Sequence, residues 1–272
     1  MEYVLDLAPL IAIILGLLGL VFWWRWRTKR KEEREHSDAL STLAATLGGK
    51  VVGREEARAW TADLLPPMKS DTEGFTGWLG TVRRPRFETA LDFRRDGWSV
   101  RVSEASMEQA TSDSSNTFYE HRIEVATSPL PAMKMCRRLH EGFLGRPPTP
   151  TPAQAEAVGP AGEPPTTAVR EQLDWLPVGL PEPANREFTV FSTDAAAVSR
   201  AFTPQVAEWL VAEAGPNPFQ SPMPILLTFE AGFAYTTASQ RIDPDHLLAR
   251  VDIILGLLDR MGATPATPPV TT

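Results

Sequence analysis

The sequence predicts an α+β protein: one N-terminal transmembrane helix followed by an antiparallel sheet with helices packed on it. Three observations carry this. Residues 4–24 are an apolar run followed by bases, short alternating segments are joined by tight-turn residues, and two amphipathic stretches each open on a cap residue followed by proline.

The anchor comes first. Val4 to Trp24 reads VLDLAPLIAIILGLLGLVFWW. At about 1.5 Å per residue it spans roughly 31 Å, the thickness of a bilayer's hydrocarbon core. Asp6 lies near the outer end, within reach of headgroups, and Pro9 falls in the first turns, where a missing N–H costs least. Trp23, Trp24 and Trp26 form an aromatic belt at the other end, interleaved with Arg25 and Arg27 and followed by Lys29, Arg30 and Lys31. These eight residues are the predicted membrane interface. A cleaved signal peptide needs bases before the apolar run and small residues after it; here the bases follow, so the flanks favour an anchor. By the positive-inside rule residues 1–3 lie outside the cytoplasm, residues 4–24 span the cell membrane and the body after them lies in the cytoplasm. The same bases suit anionic lipid, although topology alone accounts for them.

Charge separates the segments. The chain has 27 Lys and Arg against 34 Asp and Glu. With residues 1–31 set aside, 22 bases face 32 acids. A body this acidic repels phosphate backbones, which argues against nucleic acid as a partner. The lone Cys136 excludes an internal disulfide and a multi-cysteine zinc site, and His36, His121, His140 and His246 show no metal-ligand spacing.

Residues 25–49 read as a basic juxtamembrane segment and a helix leaving the membrane, with Leu40, Leu43, Ala44 and Leu47 as its apolar stripe and Gly48–Gly49 as its stop. The stripe is too short for a coiled coil, and the oligomeric state stays open. The first half of the body is 50–145: a helix over Arg54–Leu65, then alternating strands through Phe87–Phe93 and Trp98–Val102 about an Asp96–Gly97 turn, a Ser/Asn loop at 111–116, and a third strand through Tyr119–Val125. Met133–Arg138 fits a strand or a short helix. Residues 146–167 have the Pro/Ala-rich composition of a linker or long loop. The second half, 168–261, holds a strand at Glu187–Ser192, a helix capped by Thr203–Pro204, a hairpin through Ile225–Phe229 and Phe233–Thr237, and a helix from Asp243–Pro244 to Met261. In that last helix Leu247, Leu248, Val251, Ile254, Leu255 and Leu258 form a stripe wide enough to pack across the sheet. Residues 262–272 read as a disordered tail.

No catalytic constellation emerges. There is no phosphate loop, GxGxxG, HExxH or GxSxG, and Gly48–Gly49–Lys50 lacks the remainder of a phosphate loop. Cys136 with His121 or His140 is the only conceivable nucleophile pair, and a small core hydrophobe explains the cysteine better. Alternation brings Glu104, Glu120 and Glu124 onto neighbouring strands, with solvated faces as the simpler account. Trp60, Trp78, Trp98, Trp175 and Trp209 read mostly as core. No catalytic, cofactor-binding or metal-binding residue is therefore predicted.

Three phrases carry a resemblance: RPRFETALDFRRDGWSVRVSEASME (85–108), YEHRIEVATSPLPAMKMCRR (119–138) and LLTFEAGFAYTT…RIDPDHLLARVDIILGLLDRM (226–261). They resemble a set of uncharacterised, membrane-anchored proteins of high-GC actinobacteria. The resemblance implies a shared fold and no activity, cofactor or substrate. The expected function is a membrane-tethered cytoplasmic interaction module, non-enzymatic, whose partners are the lipid bilayer and another protein; the alternative is a small-ligand sensor or enzyme with a pocket between sheet and helices.

Overall fold

The computed structural model describes residues 2–68, 81–82, 84–110, 115–138, 172, 174–215 and 221–268, with the side chains of 2–16, 18, 81–82, 109–110 and 115 left out. The expected linker, Trp78 and His140 lie outside these residues, as does most of the Ser/Asn loop. The chain is α+β, with a large antiparallel sheet and helices on one face.

Helix α1 (Glu2–Leu47) runs without a break through the apolar run and the basic segment. At about 1.5 Å per residue its 46 residues extend roughly 69 Å. It ends where Gly48 takes φ +63°, a left-handed conformation that costs glycine little. Gly49 then passes so close to the sheet that a Cβ would sit 2.7 Å from that of Phe93. No larger residue fits there.

The strands are β1 (Lys50–Gly53), β2 (Thr81–Val82), β3 (Arg86–Arg95), β4 (Trp98–Ala110), β5 (Ser115–Ala126), β6 (Met133–Arg137), β7 (Leu176–Val178), β8 (Phe188–Ser192), β9 (Leu226–Glu230) and β10 (Phe233–Ala238). They form one sheet in the order β1-β3-β4-β5-β10-β9-β6-β8-β7, with β2 paired to β4. The turn joining β3 to β4 places Asp96 and Gly97 at φ +51° and +86°, the two left-handed positions of a two-residue hairpin turn. Strand β6, from the first half of the body, lies between β9 and β8 of the second. The two halves therefore share one sheet.

The remaining described helices are α2 (Ala184–Glu187), α3 (Ala195–Ala201), α4 (Pro204–Ala214) and α5 (Pro244–Arg260). Both expected caps are present: the Thr203 hydroxyl accepts from the Val206 N–H, and the Asp243 carboxylate accepts from the Asp245 N–H. Helix α5 touches α1 on one flank and α4 on the other. Ile253 and Leu257 are buried along with Leu247, Val251, Ile254, Leu255 and Leu258, so its apolar surface is wider than the expected stripe. It packs over Val100, Val102, Ile123, Val125 and Phe229 in one continuous core that also takes in Leu40 and Ala44 of α1. Arg137 donates to the carbonyls of Ala214 and Gly215 and so satisfies the C-terminus of α4.

Two expectations are corrected. Residues 54–65 are a chain of turns, not a helix. Their buried alanines, Ala57, Ala59 and Ala62, pack on the sheet's second face with Val52, Phe87 and Ala90. The N–H groups of Trp60 and Thr61 are spent on the Glu124 carboxylate, which competes directly with helical bonding. The expected tail also begins as ordered chain. Ala263 is buried, Thr264 exchanges hydrogen bonds with Ser128, Pro265 bridges Thr127, and the Ala266 N–H reaches the Ala126 carbonyl.

Candidate functional site

All eight predicted interface residues, Trp23, Trp24, Arg25, Trp26, Arg27, Lys29, Arg30 and Lys31, lie on exposed turns of α1. Helical spacing sorts them into two sides. On one, the Arg27 guanidinium stacks on Trp23 at 5.2 Å and that of Arg30 on Trp26 at 4.2 Å. On the other, Arg25 and Lys29 stand one turn apart. Lys31 pairs with Glu35 at 3.5 Å, an exposed contact of the kind that contributes little. Leu17, Leu20, Val21 and Phe22 just before them are exposed too, Phe22 at 77 %. Contiguous exposed apolar surface of this kind is uncommon on a protein in water. Among the described residues no helix is long and apolar enough to cross a membrane; most side chains of the apolar run lie outside those residues.

Lower on the same helix the environment reverses. Leu40 and Ala44 are buried against β1 and β3, at 2 % and 3 % exposure. One turn above, His36 Nε2 donates to Glu104 at 3.0 Å. Glu104 also accepts from the Ile242 N–H (2.8 Å) and Arg241 Nε (3.3 Å). Burial pushes this carboxyl up, but His36, Ile242 and Arg241 outweigh it and hold the pKa below the ordinary value. One buried carboxylate thus fastens α1, β4 and the segment entering α5. From Trp24 to Leu40 is 16 residues, about 24 Å along the axis, so the collar of aromatic and basic residues at 23–31 and the body are joined by a single unbroken helix.

The second face of the sheet carries charge instead of helices. Register aligns Asp92, Arg101, Glu124 and Tyr235 across β3, β4, β5 and β10. Arg101 grips Asp92 through Nε and Nη2, both at 2.7 Å, and donates to the Arg58 carbonyl. Glu124 accepts from the N–H groups of Trp60 (3.0 Å) and Thr61 (2.7 Å) and from the Thr61 hydroxyl (2.7 Å). Burial nevertheless raises its pKa, against the pull of Arg122. Arg122 donates to the Thr61 hydroxyl and Glu120. Tyr235 donates to Glu230, and its phenol is pushed up by burial and by that carboxylate. Lys134 and Glu230 are bridged by Gln172. The expectation of solvated carboxylates is therefore wrong for Glu104 and Glu124, both of which are buried. The 54–68 segment packs over this face, and the layer's side chains come from β3, β4, β5, β6, β9 and β10, which is how a structural polar layer is built.

No nucleophile pair forms from Cys136 and His121. They project from opposite faces of the sheet on strands separated by β10 and β9. Burial raises the Cys136 thiol to about 12, out of reach of thiolate chemistry. His121 is lowered by burial and donates through Nδ1 to the Gln240 carbonyl at 3.0 Å. Among the described residues no group of three or more His, Cys, Asp and Glu is arranged to hold a metal ion. Trp98 and Trp175 are core residues, whereas Trp60 and Trp209 are half-buried beneath Arg101 and Arg260.

No family model, no curated protein and no solved structure matches this chain. Its function is therefore read from its own geometry.

Proposed function

We propose that this chain is a membrane-tethered interaction module without catalytic activity. Residues 4–24 of α1 cross the cell membrane, the collar of Trp23, Trp24, Trp26 and the five bases sits at the inner interface, and the acidic body lies in the cytoplasm. One observation carries the reading: a single helix leaves Leu17, Leu20, Val21 and Phe22 exposed beside the collar and is part of the body's core at Leu40 and Ala44. The arrangement fixes the body's height and orientation at the bilayer, as presentation of a surface to a protein partner requires. The polar layer supports it as well, because its charges are engaged with one another.

The test is alkaline-carbonate extraction of cell membranes, combined with reporter fusions after Thr272. The full chain should stay in the pellet, and a chain lacking residues 2–24 should be released. A reporter active only in the cytoplasm should work and one active only outside should stay silent. The opposite pattern overturns the orientation, and release of the full chain overturns the anchor. In-cell cross-linking that yields no reproducible protein neighbour at the membrane would refute the interaction role.

A further inference from the structure

Strands β4 and β5 pair all the way to Ala110 and Ser115, past the Arg86–Ser106 pair at which β3 leaves β4. The outer end of this hairpin stands beside α1. Asn116 and Thr117 share an open groove of ≈ 860 Å³ with Phe22, Trp24 and Trp26 of the collar. Its cations are Arg25 and Lys29 of α1 and Arg241 of the body, whose guanidinium stacks on Tyr119 at 4.5 Å. Arg241 is held by Glu104, the same carboxylate that fastens α1. Glu32 and Glu33 also line the groove. They lie roughly 10–12 Å along the axis beyond Arg25, on the side away from the apolar run.

We infer that this groove seats the headgroup of an anionic phospholipid from the bilayer that α1 crosses, an inference that rests on the membrane reading above. With Phe22 and Trp24 at the hydrocarbon boundary, the phosphate layer falls on the next turns, where Arg25 and Lys29 stand. Along the α1 wall of the groove the order is aromatic, cationic, then acidic, which fits acyl chain, phosphate and water in that sequence. Phe118, exposed at 47 % beside Thr117, enters the headgroup layer in this pose and gives the body its own foothold. A protein ligand would have to displace lipid already at that height. The body thereby becomes a reader of lipid charge as well as a passenger on the anchor.

The test uses the full chain in phosphatidylcholine vesicles with trace spin-labelled phosphatidylglycerol or spin-labelled phosphatidylcholine, comparing the motionally restricted fractions. A cation beside an anionic headgroup strengthens association about fivefold; three cations opposed by two acids leave one net positive charge in the groove, so phosphatidylglycerol should be preferred about fivefold. Arg25→Gln with Lys29→Gln should bring that preference close to one. Arg27→Gln with Lys31→Gln removes the same charge from other sides of the helix and should leave most of it. Equal losses from the two pairs would overturn the seat in favour of diffuse attraction. Tyr119→Ala and Arg241→Gln, both outside α1, should each weaken the preference; an unchanged preference in both overturns the body's part. Carbonate resistance of the same chains separates the two readings. A chain that stays in the membrane but shows no preference refutes the seat alone, whereas one that is extracted refutes the span.

Discussion

Replacing Leu40 by alanine tests whether the lower third of α1 belongs to the core or merely lies against it. Leu40 is 2 % exposed and packs within the same cluster as Leu91, Phe93 and the α5 leucines. A buried leucine cut back to alanine loses the transfer free energy of its missing carbons and leaves a cavity, together about 2–5 kcal/mol. At about 3 kcal/mol, a domain of this size should melt roughly 6–12 °C lower. The assay is a thermal melt of the full chain in mild detergent, followed by near-ultraviolet circular dichroism of the buried tryptophans. Ser41→Ala is the control: its exposed hydroxyl only returns a bond to the Ser37 carbonyl, and it should shift the melt little. Equal melting of the Leu40→Ala chain and the parent would refute the account of α1 as a core helix, and with it the rigid link between collar and body.

Three further outcomes follow from the packing and the buried charges. Leu255→Ala, in the middle of α5 and 3 % exposed, should cost about 2–5 kcal/mol in urea unfolding, and parental stability would misplace the core. Glu124→Gln turns an amide NH₂ toward N–H donors that now meet a carboxylate, and should cost about 1–3 kcal/mol; native-state hydrogen exchange at Trp60 and Thr61 should accelerate and would not if the 54–68 turns held themselves. Burial lowers the His121 pKa in the folded state, so the unfolded chain binds the proton more readily. Its contribution is complete above the ordinary value of about 6.5 and declines as pH falls through the lowered one. His121→Gln should flatten that part of the stability profile, and an unchanged slope would assign it elsewhere.

What could be read from the residues was what neighbours decide. The Asp96–Gly97 turn, the Thr203 and Asp243 caps and the α5 stripe are local instructions, and each is present. The large antiparallel sheet with helices on one face follows from the same signals. Strand β1 has four residues and no clear alternation, and its partner β3 begins more than 30 residues later. The insertion of β6 between β9 and β8 is a long-range choice with no local mark. Residues 54–65 looked helical because they lack strand alternation. Their spacing of buried alanines, 57, 59 and 62, is not helical, and a carboxylate 63 residues away from Thr61 takes their amides. For the same reason Glu104 and Glu124 gave no sign of burial. The cationic half of the groove was legible in Arg25 and Lys29, whereas Tyr119 and Arg241 arrive there only through folding.

The central claim is that the upper part of α1 is immersed in lipid while its lower part is body. A nitroxide attached at position 17 of the full chain in vesicles addresses this directly, through its collision rates with oxygen and with a water-soluble nickel complex. Leu17 is exposed on the helix, 59 % open, so the label perturbs no packing. The account predicts frequent oxygen collisions and almost none with nickel, the signature of hydrocarbon. A label that meets nickel as freely as one placed on exposed Ser41 would contradict it.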